Sequence, residues 1–403
     1  YDTESESYSE LDTLTSNKFK NSTLNNTSRI SYNYQDKKFG FMLGSDFEFT
    51  NLKNDETFPN ERDLKKDYFS ILPSASFSYN INKSSTFNIY YRMGTSNPSV
   101  QQLQEIVNVS NPLFLSIGNS NLKQTQNHNM MLFYTSSNME NGSFTSIHMS
   151  VNKANNTVSQ KTIVAQNDTL INEKYVLPKG GQFSQPTNLN GQYNISGRIT
   201  YGIPVKKLQS KLNINTSANY SHNPTLVNNQ KSFSNYLSLN QGFKLSSNIS
   251  EKLDFTVSSR TQYSVSKNTN LKSSSSKYFS QTNSLSMYWN FVKNFILKTN
   301  TNFVNKNNIS TDDIENNWLL DIGISSKFFK NKRGEISLVA YDILNQTSER
   351  NHSVSDLYTT DSYSKKLNKF YMLSFTYKIR NSSKSHRRSR HGMGMHNRHQ
   401  MMN

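Results

Sequence analysis

Apolar and polar positions alternate along this chain with a period of two. Between Leu253 and Val265, Phe255, Val257, Thr261, Tyr263 and Val265 share one face, interrupted by Ser259. Asp254, Thr256, Ser258, Arg260, Gln262 and Ser264 share the other. That period marks an extended strand whose two faces meet different surroundings. Around Tyr193 it recurs, with Tyr193, Ile195, Ile199, Tyr201 and Ile203 set against Gln192, Asn194, Ser196, Arg198 and Thr200. Phe87, Ile89, Tyr91 and Met93 repeat it early in the chain, and Tyr371, Leu373, Phe375, Tyr377 and Ile379 repeat it late. A tilted strand needs about 9–11 residues to cross a bilayer, and each of these segments is of about that length.

Extended to the whole chain, the alternation predicts fifteen strands, at 22–36, 38–51, 67–83, 85–95, 124–138, 143–158, 190–204, 210–222, 232–247, 253–267, 277–290, 295–306, 315–328, 335–345 and 368–380. Short and long connections take turns between them. Asp36-Lys37-Lys38, Asn82-Lys83-Ser84, Pro204 to Ser210 and Lys330 to Gly334 are short and mostly basic. The connections 96–123, 159–189 and 346–367 are long and rich in Asn, Ser and Thr. Outer-membrane barrels have this asymmetry, with short periplasmic turns and long external loops. A soluble β-sandwich also alternates, but its strands average about five or six residues and its loops keep no such rhythm. The pattern therefore predicts an all-β fold, a transmembrane antiparallel β-barrel. If the short turns are periplasmic, the first and last strands both descend, so the count is odd. Single-chain bacterial barrels usually close with an even number. Residues 1–21 then read as the remnant of an external loop, 22–380 as the barrel portion of a longer chain, and 381–403 as a tail.

Composition agrees with this reading. Hydrophobic residues make up only 33% of the 403, which favours disorder, yet 24 Phe and 22 Tyr are the opposite of a disordered composition. No stretch approaches the roughly 18 apolar residues of a membrane helix. A barrel strand turns only alternate residues to lipid, so low mean hydropathy is no objection. The absence of cysteine removes disulfides, thiolate metal sites and cysteine nucleophiles. A formal charge of +17 raises the question of nucleic acid, but Lys and aromatics are spread along the chain without a recognition motif, and no nucleic-acid partner is expected. Residues from Tyr1 onward carry Glu4, Glu6, Glu10 and Asp12, without the basic and apolar regions of a signal peptide.

Three groups of residues resemble those of the β-barrel of TonB-dependent outer-membrane receptors, in the form called the outer membrane protein β-barrel family. The first is Leu72-Pro73-Ser74, Tyr90-Tyr91-Arg92 and Asn97-Pro98-Ser99-Val100-Gln101-Gln102-Leu103. The second is Asn111-Pro112-Leu113 with Gly118-Asn119-Ser120-Asn121-Leu122-Lys123. The third is Phe329-Lys330-Asn331-Lys332, Tyr341-Asp342-Ile343-Leu344-Asn345-Gln346 and the terminal strand Phe370 to Arg380. The resemblance implies the outer membrane of a Gram-negative bacterium and a small nutrient ligand, such as a siderophore complex, glycan or peptide, bound at the external loops. It also implies import driven by the TonB complex through an N-terminal plug. The plug pattern is absent from this sequence. Full-length barrels of this kind have about 22 strands, so fifteen correspond to a C-terminal portion.

Substrate contacts are expected in the loops 96–123, 159–189 and 346–367. The tail gathers His386, His391, His396 and His399 with Met393, Met395, Met401 and Met402, side chains that suit soft ions such as Cu(I). Arg387, Arg388, Arg390 and Arg398 repel a cation, however, and the plainer reading is an unstructured periplasmic tail touching anionic lipid. Lys37, Lys38, Lys206, Lys207, Lys252 and Lys332 fall at short turns, near lipid head groups or in water. No cofactor is expected. His128, His148, His222 and His352 are scattered and lack a nucleophile motif, so catalysis is not expected either. A binding-only or adhesive surface barrel is the alternative to transport.

Overall fold

The computed structural model describes residues 18–58, 61–171, 175–247, 252–269, 275–310, 313–329, 332–347, 350–354, 359–364 and 367–379. The His/Met tail lies outside them. In chain order the elements are β1 (Lys18–Gln35), β2 (Phe39–Phe58), β3 (Arg62–Asn82), β4 (Ser85–Ser96), helix α1 (Val100–Leu103), β5 (Phe114–Ser116), β6 (Thr125–Ser137), β7 (Phe144–Asn155), β8 (Thr157–Val164), β9 (Thr169–Ile171), β10 (Tyr175–Leu177) and β11 (Gln182–Leu189). Then follow β12 (Gln192–Val205), β13 (Ser210–Val227), β14 (Gln230–Ser247), β15 (Leu253–Asn268), β16 (Ser276–Val292), β17 (Phe295–Asn308), β18 (Asp313–Phe328), β19 (Gly334–Tyr341), β20 (Arg350–Val354), β21 (Thr359–Tyr363) and β22 (Phe370–Tyr377).

Among the described residues these form one 18-stranded sheet and two small hairpins, β9–β10 and β20–β21. Three members of the large sheet, β5, β8 and β11, belong to connections. The remaining fifteen pair antiparallel in the order β1-β2-β3-β4-β6-β7-β12-β13-β14-β15-β16-β17-β18-β19-β22, and they are the fifteen that alternation predicts.

Register explains why the sequence alternates. One cross-strand row runs Tyr91, Met130, Val151, Ile195, Tyr220, Leu237 and Val265, from β4 to β15. The row beside it, on the opposite face, runs Arg92, Asn129, Asn152, Asn194, Ser221, Tyr236 and Ser266. A slip of one residue in any strand would exchange the two rows, so the register is strongly specified. Apolar side chains on the first face stand open: Ile199 is 49% exposed and Phe375 61%. In water such a surface would be an aggregation site, whereas in lipid it is the required solvent contact. At the short-turn end the same face carries an aromatic band, with Tyr34 stacked on Phe41 at 5.6 Å and Phe329 edge-on to Tyr377 at 5.9 Å. Such girdles mark the bilayer boundary. No helix among the described residues is long and apolar enough to cross a membrane, so the crossing falls to strands.

The opposite face is held by polar contacts. Asp46, 4% exposed, takes the Arg29 guanidinium at 2.7 Å and has Arg92 at 3.5 Å. Lys298 and Glu335 meet at 2.8 Å, and serine pairs such as Ser150 with Ser196 at 2.7 Å tie neighbouring strands. The short turns carry the expected lysines in exposed positions, Lys206 and Lys207 in a single 3-10 turn.

The structure departs from the sequence expectation in two places. β2 and β3 continue well past the expected ends at 51 and 67. Their outward positions there become Asn51, Lys53 and Asp55, in register with Asp67, Lys65 and Asp63. Alternation of the lipid-facing kind stops where hydrocarbon stops, but the hairpin goes on above the membrane. Asp55 sits 2.8 Å from Lys53, and its hydrogen bond and charge raise the Lys53 ammonium above its ordinary pKa. The second departure concerns the long connections 96–123, 159–189 and 346–367, expected as loops between the strands: they contain α1, β5, most of β8, all of β9, β10 and β11, and the β20–β21 hairpin.

At the ends of the ladder, β1 pairs with β2 and β22 with β19, and no pairing joins β1 to β22 among the described residues. Fourteen successive antiparallel steps leave these two edge strands running in the same direction. The described wall is open.

Candidate functional site

The long connections pack on one another and on the inward face of β2, at Leu52. Pro98 ends the extension of β4, and Ser99 caps α1: its hydroxyl receives the Gln102 N–H at 3.2 Å while the Gln102 side chain receives the Ser99 N–H at 2.9 Å. This reciprocal box fixes the start of a very short helix. It delivers Leu103, 1% exposed, onto Leu52 of β2 and Leu122, with Leu64 and Val158 alongside. A second apolar cluster joins Leu115, Ala165, Ile171 and Leu177, with Val109, Tyr175 and Phe183 packed on it. These are soluble-type cores of the kind the wall lacks. Contacts of this sort are what make a connection rigid.

Backbone pairing completes this cap. β5 runs parallel to β11, β11 pairs antiparallel with β8, and β8 meets the external end of β13 at Leu226 and Val227. Asn156 at φ 51 turns the chain from β7 into β8. The residues that carry the family resemblance are the ones that knit these pieces. Gly118 donates its N–H to the Gln104 carbonyl at 2.9 Å, and a Cβ there would lie 2.0 Å from that oxygen, so only glycine fits. Asn119 donates to the Pro186 carbonyl at 3.0 Å, and the Lys123 N–H reaches the Asn188 side chain at 2.8 Å. Likewise, Asp342 closes a turn beyond β19 by accepting from the Gln346 and Thr347 N–H groups, both at 3.0 Å.

Between β1, the segment around α1 and the β8–β11 face lies a recess of about 820 Å³. Phe19, Gln102, Gln104, Asn108, Gln160 and Pro186 contribute to its walls, and among the described residues that line it none is ionisable. The volume is that of a small-molecule site. The Gln104 Nε2 is buried without a hydrogen-bond partner among the described residues, which is costly unless something else occupies it. A narrower cleft beside it is walled by Asn54, Leu64 and Leu103, and Asn54, 3% exposed, has an unpartnered Oδ1.

Of the regions expected to hold substrate, 96–123 supplies one wall and 159–189 another. The third, 346–367, carries the β20–β21 hairpin, is only partly within the described residues and does not line the recess. Phe19 falls in the segment read as a loop remnant, and nothing in its sequence surroundings set it apart. The tail candidates His386, His391, His396, His399, Met393 and Met395 lie outside the described residues. Among the described residues no group of three His, Cys, Asp or Glu side chains could hold a metal ion. The other histidines do not meet. His128 lies 2.9 Å from the Tyr91 hydroxyl and His222 2.6 Å from the Asn235 Oδ1, both on the outward face, while His148 stacks on Phe133 at 4.6 Å on the inner one. The side chain of His352 is outside the description.

The sequence profile of the outer membrane protein β-barrel family matches residues 1–275. The chain belongs to this family. The match takes in β1 to β15 and the whole cap with its two groups of signature residues, and the third group lies beyond it. Membership places the barrel in the outer membrane, with its aromatic band and apolar face in the bilayer. Among curated protein sequences none matches the chain.

Proposed function

We propose that this outer-membrane barrel is the membrane portion of a receptor that captures a small nutrient under its external cap and passes it inward in TonB-dependent import. The observation that carries this reading is the recess itself: long connections with their own apolar cores hold a half-open, hydrogen-bonding pocket beside the wall. The resemblance of the cap residues to TonB-dependent receptors supports the import step. Amide and hydroxyl side chains without a formal charge favour an uncharged ligand, a glycan or peptide fragment, over an anionic metal chelate. The basic excess of the chain lies elsewhere, much of it at the periplasmic turns and in the tail. We read the barrel as non-catalytic, since Tyr91 and Asn235 engage two of the candidate base histidines on the lipid side.

The test uses cells producing the whole protein, offered fluorescent neutral oligosaccharides, peptides and ferric chelates. Capture of a neutral ligand is expected, weakened by Gln104→Ala with Gln160→Ala. Uptake should stop when the TonB complex is removed while surface capture persists. Capture with no TonB-dependent uptake would replace import with the binding-only or adhesive reading.

A further inference from the structure

One outward row is apolar on β4, β6, β7 and β12, where it runs Phe87, Tyr134, Ile147 and Ile199, and the outward face is apolar again on β19 and β22, where Leu338 faces Leu373. On β13 to β16 it is not. There the directly paired row is Thr216, Gln241, Thr261 and Gln281, with Ser259 and Asn283 one step below. The row continues to Asn305 and Asn316 on β17 and β18, which bond to each other at 2.6 Å. On β13 to β16 apolar residues bracket it on both sides. Ile214, Phe243, Val257 and Leu285 lie toward the periplasm, and Leu239, Tyr263 and Phe279 toward the exterior. The polar row therefore sits within the hydrocarbon band.

Its members already bond laterally. The Thr216 hydroxyl donates to Gln241 at 2.7 Å, Thr261 donates to Gln281, and Gln281 Nε2 donates to Ser259 at 2.8 Å and Asn283 at 3.0 Å. Amides have more capacity than this, and the Gln241 Nε2 and Asn283 Nδ2 make no hydrogen bond among the described residues. Acyl chains offer neither donors nor acceptors, so lipid leaves those groups unsatisfied.

We propose that this sector contacts a second copy of the chain, the two rows meeting across a two-fold axis along the membrane normal. Every side chain in the row both donates and accepts, so the row is complementary to itself, which an isologous interface requires. It carries no ionisable group to repel its copy. Ser259, Thr216 and Thr261 are small, as at close contacts inside membranes.

The chain has no cysteine, which makes the test direct. Thr261→Cys, Gln241→Cys and, on the apolar sector, Leu132→Cys are produced separately in the native outer membrane and oxidised. Covalent dimers are expected from the first two and not from the third. In mild detergent the wild-type protein should be a dimer. The Gln241→Leu/Gln281→Leu variant, checked as folded by its heat-dependent gel migration, should be a monomer. The proposal is overturned if the polar-sector thiols react with a lipid-soluble maleimide yet give no dimer, if they cross-link to a different protein, if Leu132→Cys dimerises equally, or if the double variant remains dimeric.

Discussion

The wall and the cap solve the same problem in opposite ways. In the wall, apolar side chains point away from the protein, and the strands are held by backbone ladders and polar pairs such as Ser150 with Ser196. In the cap, Leu103, Leu115, Leu122 and Leu177 are buried against one another as in a soluble domain. The bilayer does for the wall what a core does for the cap. Stability in the two regions therefore answers to different solvents, and substitutions should separate them.

The largest separation is expected from Leu103→Ala. Truncation of a fully buried leucine costs about 2–5 kcal/mol, and here the loss falls on the cap alone. Hydrogen exchange over 97–123 and 157–189 should accelerate while the wall keeps its heat-dependent gel shift. Loss of that shift would mean that cap and wall fold as one unit. The reverse experiment is Ile199→Arg, on the open outward face of β12. An arginine on the lipid face near mid-bilayer costs about 2–4 kcal/mol, read by urea titration of folding into vesicles, with the cap's exchange unchanged in the protein that does fold. Gly118→Ala ranks third. Overpacking typically costs about 1–3 kcal/mol, and the added methyl meets the Gln104 carbonyl, so the recess should lose ligand capture before the cap unfolds. Lys53→Ala, on the exposed hairpin above the membrane, should change neither urea midpoint nor capture, since its pair with Asp55 stands in water.

The same contrast explains how much of the fold is legible in the sequence. Lipid imposes one rule on every wall strand, and Phe255 to Val265 or Tyr371 to Phe375 obey it in plain sight. The cap obeys no such rule. Its strand β8, Thr157 to Val164, carries polar residues on both faces, and its partners β11 and β13 are distant in sequence. Asn97 to Leu103 and Gly118 to Lys123 stood out by resemblance, but their physical role, a capping box and a glycine forced against a carbonyl, needs the chain folded around them. Phe19, Gln160 and Pro186 become site residues only through pairing across the rim. The extension of β2 and β3 escaped for a related reason: outward residues such as Lys53 and Asp63 look like a loop, while the inward Leu52 serves the cap.

The parallel course of the two edge strands bears on assembly. An antiparallel wall of odd strand number has no favoured way to zip its first edge to its last, since the two would meet in the parallel sense, the less stable pairing. Such a wall is protected against sealing on itself too early. Between the described edges an antiparallel seam needs an odd number of intervening strands, so each edge is a template with a defined polarity.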